Sequence, residues 1–280
     1  MQAMKVGVAL GSGAMRGLAH VGVLQVFMEQ GIAVDLVAGT SIGSVIGAFF
    51  CCGDDMKLIG KLFETLDERK YLDFIPPRKG FVKGDQIQLL VKTLTHDCDF
   101  ADLKVPLNVI ACDLDNNCAA VLDSGKVHEA VRGSISIPGV FVPHLYQGMR
   151  LVDGGVIDRV PVTQVQRMGA DFTIGVDVGY RGTPSKADSL LEIIYHAYEL
   201  MDWELTQQKT QNADFTITPE LTDVDPTSLS DAHRAIERGR EAALAALPEL
   251  REKLAQRQRE LDERDDQPDD DEAQTPAQED

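Results

Sequence analysis

Ser41 stands between two glycines, in Gly39-Thr40-Ser41-Ile42-Gly43, after an apolar run at 34–38 and before the apolar cluster Val45, Ile46, Ala48, Phe49, Phe50. A serine hydroxyl is a weak nucleophile until geometry and a base activate it. Small residues two positions to either side permit a tight strand-to-helix turn that lifts the hydroxyl off the backbone. The helix starting there points its positive end at the same spot. Earlier in the chain, Gly11-Ser12-Gly13-Ala14-Met15-Arg16-Gly17 follows another apolar run. Its small residues bare successive N–H groups at a helix start, with Arg16 adjacent, which suits an oxyanion. A cradle followed by an exposed serine is the equipment of acyl transfer.

A dinucleotide site is the rival reading of the first turn. Its glycines run G-x-G-x-x-x-G, one residue longer than the dinucleotide fingerprint, and Asp35 precedes its strand where a ribose-binding acid ends one. That reading also leaves the second turn unexplained. The base is less evident. None of the six histidines, His20, His96, His128, His144, His196 and His233, lies in a loop context that suggests catalysis. Asp153-Gly154-Gly155 follows a short strand-like segment, and a carboxylate can act as general base directly if it reaches the hydroxyl. By itself a D-G-G is usually a turn.

The elements that must position these groups read as α/β. Strands are expected over 5–10, 34–38, 107–112, 119–122, 150–152, 173–178 and 214–218. Helices are expected from 18 to 27 with Gly31 as C-cap, and over 42–50, 56–66, 86–94, 127–134, 162–168, 190–212 and 232–247. Strand, turn, helix, strand, turn, helix predicts a mainly parallel central sheet. Asp85 is the expected cap of the helix at 86, and Pro248 the expected end or interruption of the helix from 232, with 250–261 as its weakly amphipathic continuation if it is not ended there. Residues 73–85 mix prolines, glycines, apolar residues and three cations, and read as an ordered loop, either a plain connection or a lid or lipid-facing segment.

Composition narrows the class. The chain has 280 residues, 44% hydrophobic and 26% charged, as a globular protein with a substantial core does. The start carries no basic segment followed by an apolar one, so a cytoplasmic protein is expected; Met4 is an alternative start. Five cysteines without metal-ligand spacing read as reduced thiols, and no cofactor or metal is expected. The net charge of −18 argues against nucleic acid as partner and disfavours anionic lipid surfaces. Residues 260–280 hold eleven acids against Arg264. The expected organisation is one domain over 5–258, its signature core at 6–165, and an acidic disordered tail at 259–280. The residues do not indicate an oligomeric state.

Taken together in this order, Gly11–Gly17, Gly39–Gly43 and Asp153-Gly154-Gly155 resemble the patatin-like phospholipase family, in particular its small bacterial members. The likeness also takes in Ala111-Cys112-Asp113-Leu114, residues 134–141 and Val160-Pro161-Val162. It implies a three-layer α/β/α sandwich and a Ser–Asp dyad without histidine, Ser41 as nucleophile and Asp153 as base. It implies an oxyanion hole at Gly11, Gly13 and Ala14 with Arg16 as charged neighbour, and Gly39, Gly43, Gly154 and Gly155 as motif glycines. Substrates would be lipid or other acyl esters, met through transient contact with a membrane surface. The alternative is a regulatory or protein-interaction member of the same fold with vestigial turnover. Two positions depart from the pattern: Ser12 where a third glycine is common, and Asp158 where an asparagine is.

Overall fold

The computed structural model describes residues 4–76, 78–179, 189–206 and 212–265. In chain order the elements are β1 (Val6–Leu10), a 3-10 turn (Ala14–Leu18), α1 (Ala19–Gln30), β2 (Leu36–Thr40), α2 (Ile42–Cys52), α3 (Met56–Thr65) and α4 (Asp85–Leu94). There follow β3 (Leu107–Asp113), β4 (Cys118–Leu122), α5 (Val127–Ser134), β5 (His144–Tyr146), β6 (Met149–Asp153), α6 (Val162–Arg167) and β7 (Phe172–Val176). The last are α7 (Leu190–Thr206), β8 (Phe215–Ile217) and α8 (Ala232–Asp265).

Uninterrupted apolar runs such as Val6–Leu10 and Leu36–Thr40 are buried along their whole length, as parallel strands covered on both faces must be. β8, β7, β1, β2 and β3 run parallel, in that order. Three antiparallel strands complete a mixed sheet beyond them: β4 and β6 flank β3, and β5 pairs with β6. β4 pairs with 109–113 of β3, so β2 (at 107–110) and β6 (at 111–113) must share the opposite edge. β2 and β6 therefore meet tip to tip. Thr40 pairs with Ile110 and Asp153 with the next residue, Ala111.

The main core, which includes Phe27, Phe49, Leu24, Ile46 and Leu250, packs α1, α2 and α8 against the sheet. Val162 and Val165 of α6 pack with Ala9 and Ala38 in a separate cluster. The α/β class and mainly parallel centre expected from the sequence are present.

Four local expectations are corrected. β5 was not expected; Gln147 and Gly148, both at positive φ (51° and 79°), close a two-residue hairpin into β6. The N-cap of α4 is Gly84, and the Asp73 carboxylate accepts from the N–H groups of Gly84 (2.6 Å) and Asp85 (2.9 Å); Asp85 is the first helical residue. Pro248 lies inside α8 without ending it. The lost hydrogen bond is offset by packing, since Leu247 and Leu250 to either side are buried, and by the Arg240–Glu29 ion pair to α1 at 2.9 Å. The same helix runs to Asp265, into the stretch expected as tail; residues 266–280 lie outside the described ones, as does the end of the helix expected to reach 212.

Candidate active site

Both expected turns sit at the carboxyl ends of parallel strands, where α/β sheets place their sites. Ser41 leaves β2 with φ 54° and ψ −124°, a conformation costing about 1–3 kcal/mol for a residue with a side chain. Besides the first helical bonds from Ser44 and Val45 N–H to its carbonyl, two side chains hold it there. Its N–H donates to Ser134 Oγ (2.8 Å), and its carbonyl accepts from Ser44 Oγ (2.6 Å). The turn is tight enough that a Cβ on Gly43 would lie 2.1 Å from the Leu10 carbonyl, and one on Gly39 2.6 Å from that of Gly43.

Asp153, at the tip of β6, is 1% exposed. Its Oδ2 accepts from Ser41 Oγ at 2.6 Å. Its Oδ1 accepts from Gly155 N–H (2.8 Å) and from the Tyr198 hydroxyl (3.1 Å). Burial lifts the Asp153 pKa from 3.8 to about 6, against the pull of those three donors. Gly154 lets β6 close on its neighbours, because a Cβ there would lie 2.2 Å from the Ile110 carbonyl.

In the first turn the expected donors divide. Gly11 N–H donates to Val176 O (3.1 Å), continuing the β1–β7 ladder, and Ser12 N–H donates to Arg159 O (3.0 Å). Gly11 is thereby removed from the expected oxyanion donors; its carbonyl instead accepts from His20 Nε2 (2.8 Å). Gly13 and Ala14 N–H have no partner among the described residues, and both residues line a small pocket with Ser41 and Asp153. Arg16 is turned away into a buried ion pair with Glu199 of α7 (2.5 Å), and Glu199 also accepts from Tyr195 (3.0 Å).

A second, apolar pocket of about 180 Å³ starts at Ser41 and Ala14 and runs between α2, α3 and α4, past Val45, Phe63, Leu90 and Phe141. Ser41 thus lies where a small pocket reached by Asp153, Tyr198 and Glu199 meets a large apolar one. No histidine lines either pocket. Burial takes the pKa of His20 down to about 4, keeping its ring neutral as a brace for Gly11.

Three site residues escaped the sequence. Ser134 accepts from Ser41 N–H and donates to Ile110 O (2.5 Å), while Ser136 O accepts from Asp153 N–H (2.9 Å). One short segment at the end of α5 thus grips the backbone of both reacting residues. The third, Tyr198, sits on a helix whose amphipathic pattern gave no sign of a polar role.

A strained serine bonded to a buried aspartate, at the carboxyl end of a sheet with helices on both faces, defines an α/β/α protein with a serine–carboxylate pair and no histidine partner. The chain belongs to the patatin-like phospholipase family, whose model matches residues 8–165. An uncharacterized NTE family protein of Mycobacterium bovis is 32% identical over 177 residues, 62% of this chain and 49% of that one. Lysophospholipase NTE1 of Scheffersomyces stipitis is 30% identical over 181 residues, 62% of this chain and 12% of that one. The chain spans about half the length of the mycobacterial relative and a much smaller share of the fungal one. The structure of VipD from Legionella pneumophila covers 89% of this chain and is matched over 67% of its own, with TM-score 0.61 and 14% identity. The type III effector protein ExoU covers 91%, matched over 53%, with TM-score 0.50 and 15% identity. These likenesses to solved structures are likenesses of fold. No helix among the described residues is long and apolar enough to cross a membrane.

Proposed function

We propose that the chain is a serine acyl hydrolase acting on fatty acyl esters of lipids, with Ser41 as nucleophile and Asp153 as base. The observation that carries this is the 2.6 Å hydrogen bond from Ser41 Oγ to a carboxylate buried beside an apolar pocket. Membership of the patatin-like phospholipase family and the lysophospholipase among the relatives support lipid esters as the substrate class.

In the first step Asp153 takes the Ser41 proton as the oxygen attacks the ester carbonyl. A carboxylate of ordinary pKa would be a feeble base; one raised to about 6 is better matched to the task and still ionised at pH 7. The N–H groups of Gly13 and Ala14 receive the oxyanion, and the α2 N-terminus adds its positive end. Collapse expels the alcohol, which takes back the proton from Asp153, and leaves an acyl-serine. Water, deprotonated by the same carboxylate, then attacks the acyl-serine; collapse releases the fatty acid and expels Ser41 Oγ, which takes the proton back from Asp153. The acyl chain lies in the apolar pocket.

The test is activity-based labelling beside a panel of acyl esters. A fluorophosphonate is expected to label Ser41 in the wild type, and Ser41→Ala to abolish both labelling and turnover. Undiminished hydrolysis by Ser41→Ala sinks the proposal, and an unlabelled wild type favours the vestigial reading.

A further inference from the structure

Residues 69–83 carry charge of the opposite sign to the rest of the chain. Arg69, Lys70, Arg78 and Lys79 are exposed, and none has an ion-pair partner among the described residues. The acid within 69–79 is Asp73, whose carboxylate is engaged by the N–H groups of Gly84 and Asp85. This cationic stretch belongs to a chain of net charge −18.

The stretch has a built shape. From Asp73 the backbone runs out and back, with Phe74 facing Val82 across an antiparallel bridge. Ile75 N–H donates to Phe81 O (2.9 Å), and Lys83 N–H to Asp73 O (3.0 Å). Its root is fixed to the body of the protein. Val82 bridges to Phe141, and the buried Arg132 lies over the Phe141 ring (5.5 Å) while donating to the carbonyls of Lys83 and Val142. Phe141, together with Tyr71 and Leu72, lines the apolar pocket that leads to Ser41. The excursion thus starts at the pocket wall, and its outer part carries Arg78 and Lys79. Phe74 is 65% exposed on it, an unusual position for a phenylalanine with a pocket close by.

We propose that this edge docks on an anionic lipid bilayer, with Phe74 entering the interface and the four cations facing the headgroup phosphates. Aromatic residues beside basic ones make up the surface that interfacial proteins lay against lipid. The overall negative charge does not oppose this, because charges beyond about 8 Å are screened at physiological ionic strength and the nearest charges decide. The pocket mouth then opens where acyl chains are. That last consequence rests on the acyl hydrolase reading; the docking itself needs no turnover.

Co-sedimentation tests it, using vesicles of phosphatidylcholine alone and of phosphatidylcholine mixed with phosphatidylglycerol. The wild type is expected to sediment with the mixed vesicles, less so as salt rises, and only weakly with phosphatidylcholine alone. Charge reversal in Arg78→Glu/Lys79→Glu, and separately Phe74→Ser, should each cut vesicle binding about tenfold with the melting temperature unchanged. Ser41→Ala should sediment as the wild type does. Absence of wild-type binding, equal binding to both vesicle types, or undiminished binding of the charge-reversed variant overturns the docking. A Ser41→Ala protein that still hydrolyses esters overturns the functional reading and leaves the docking standing.

Discussion

The Tyr198 hydroxyl donates to Asp153 Oδ1 across 3.1 Å, although Tyr198 belongs to α7 and Asp153 to the sheet. The bond favours the ionised carboxylate. Its loss in Tyr198→Phe must move the Asp153 pKa further above 6, so the acid limb of kcat/KM shifts to higher pH. One charge-assisted bond amounts to about 1.5–3 kcal/mol, of which only the part lost between protonation states appears as a shift. We expect a displacement of several tenths of a unit, with kcat/KM falling less than about twofold at pH 7 and more steeply below pH 6, and KM little changed. A pH–rate profile superimposable on that of the wild type would show that Tyr198 only fills space.

Asp153 also links function to stability. Its folded pKa lies above the unfolded value, so the native state binds the extra proton between pH 3.8 and about 6, and stability falls as pH rises through that window. Asp153→Asn removes this slope. Above pH 7 the variant is expected to be more stable than the wild type, by on the order of 2–3 kcal/mol at most, while losing all turnover. Thermal melts at pH 5 and pH 8 check both signs: the gap between variant and wild type should widen at the higher pH.

Ser134 serves two buried backbone groups at once. Ser134→Ala leaves the Ser41 N–H and the Ile110 carbonyl without it, at a cost of about 1–3 kcal/mol for each group that stays dry. It also removes one of two side-chain restraints on the strained Ser41 backbone. The expected result is a clear drop in melting temperature and at least tenfold slower fluorophosphonate labelling. Labelling at the wild-type rate would mean that Ser44 alone suffices to hold the turn.

The apolar pocket sets the acyl length that fits. Leu90 projects into it from α4, and Leu90→Trp fills part of its 180 Å³. Turnover of long-chain esters should fall tenfold or more while short-chain esters stay within about twofold, because only the long chains meet the new ring. A uniform loss across chain lengths would move the acyl site elsewhere.

Much of this was legible in the sequence where local patterns carry it. Buried parallel strands are continuous apolar runs, so β1, β2, β3 and β7 were found within a residue or two. Gly31, at φ 66°, ended α1 as expected. The pairing of Ser41 with Asp153 came from a family resemblance, since the residues alone could not show that two distant turns meet. What stayed hidden depends on distant partners. Asp73 holds the N-cap of a helix eleven residues on, Gly11 spends its N–H on β7, and Ser134 points at a turn on another strand. Each looks like an ordinary polar or small residue until the sheet is assembled. At Pro248 the sequence left both an end and a continuation open, and packing on both sides carries the helix through.

Neighbouring residues of β3 hold the tips of two strands, and Ser41 and Asp153 are 112 positions apart in the chain. Closing so long a loop is entropically costly and is among the slower events of folding. Until β6 seats against 111–113 of β3, Ser41 has no base beside it. A partly folded chain, or a fragment ending before residue 149, therefore carries a serine as inert as any on a protein surface. Reactivity at Ser41 measures completed folding rather than the amount of chain.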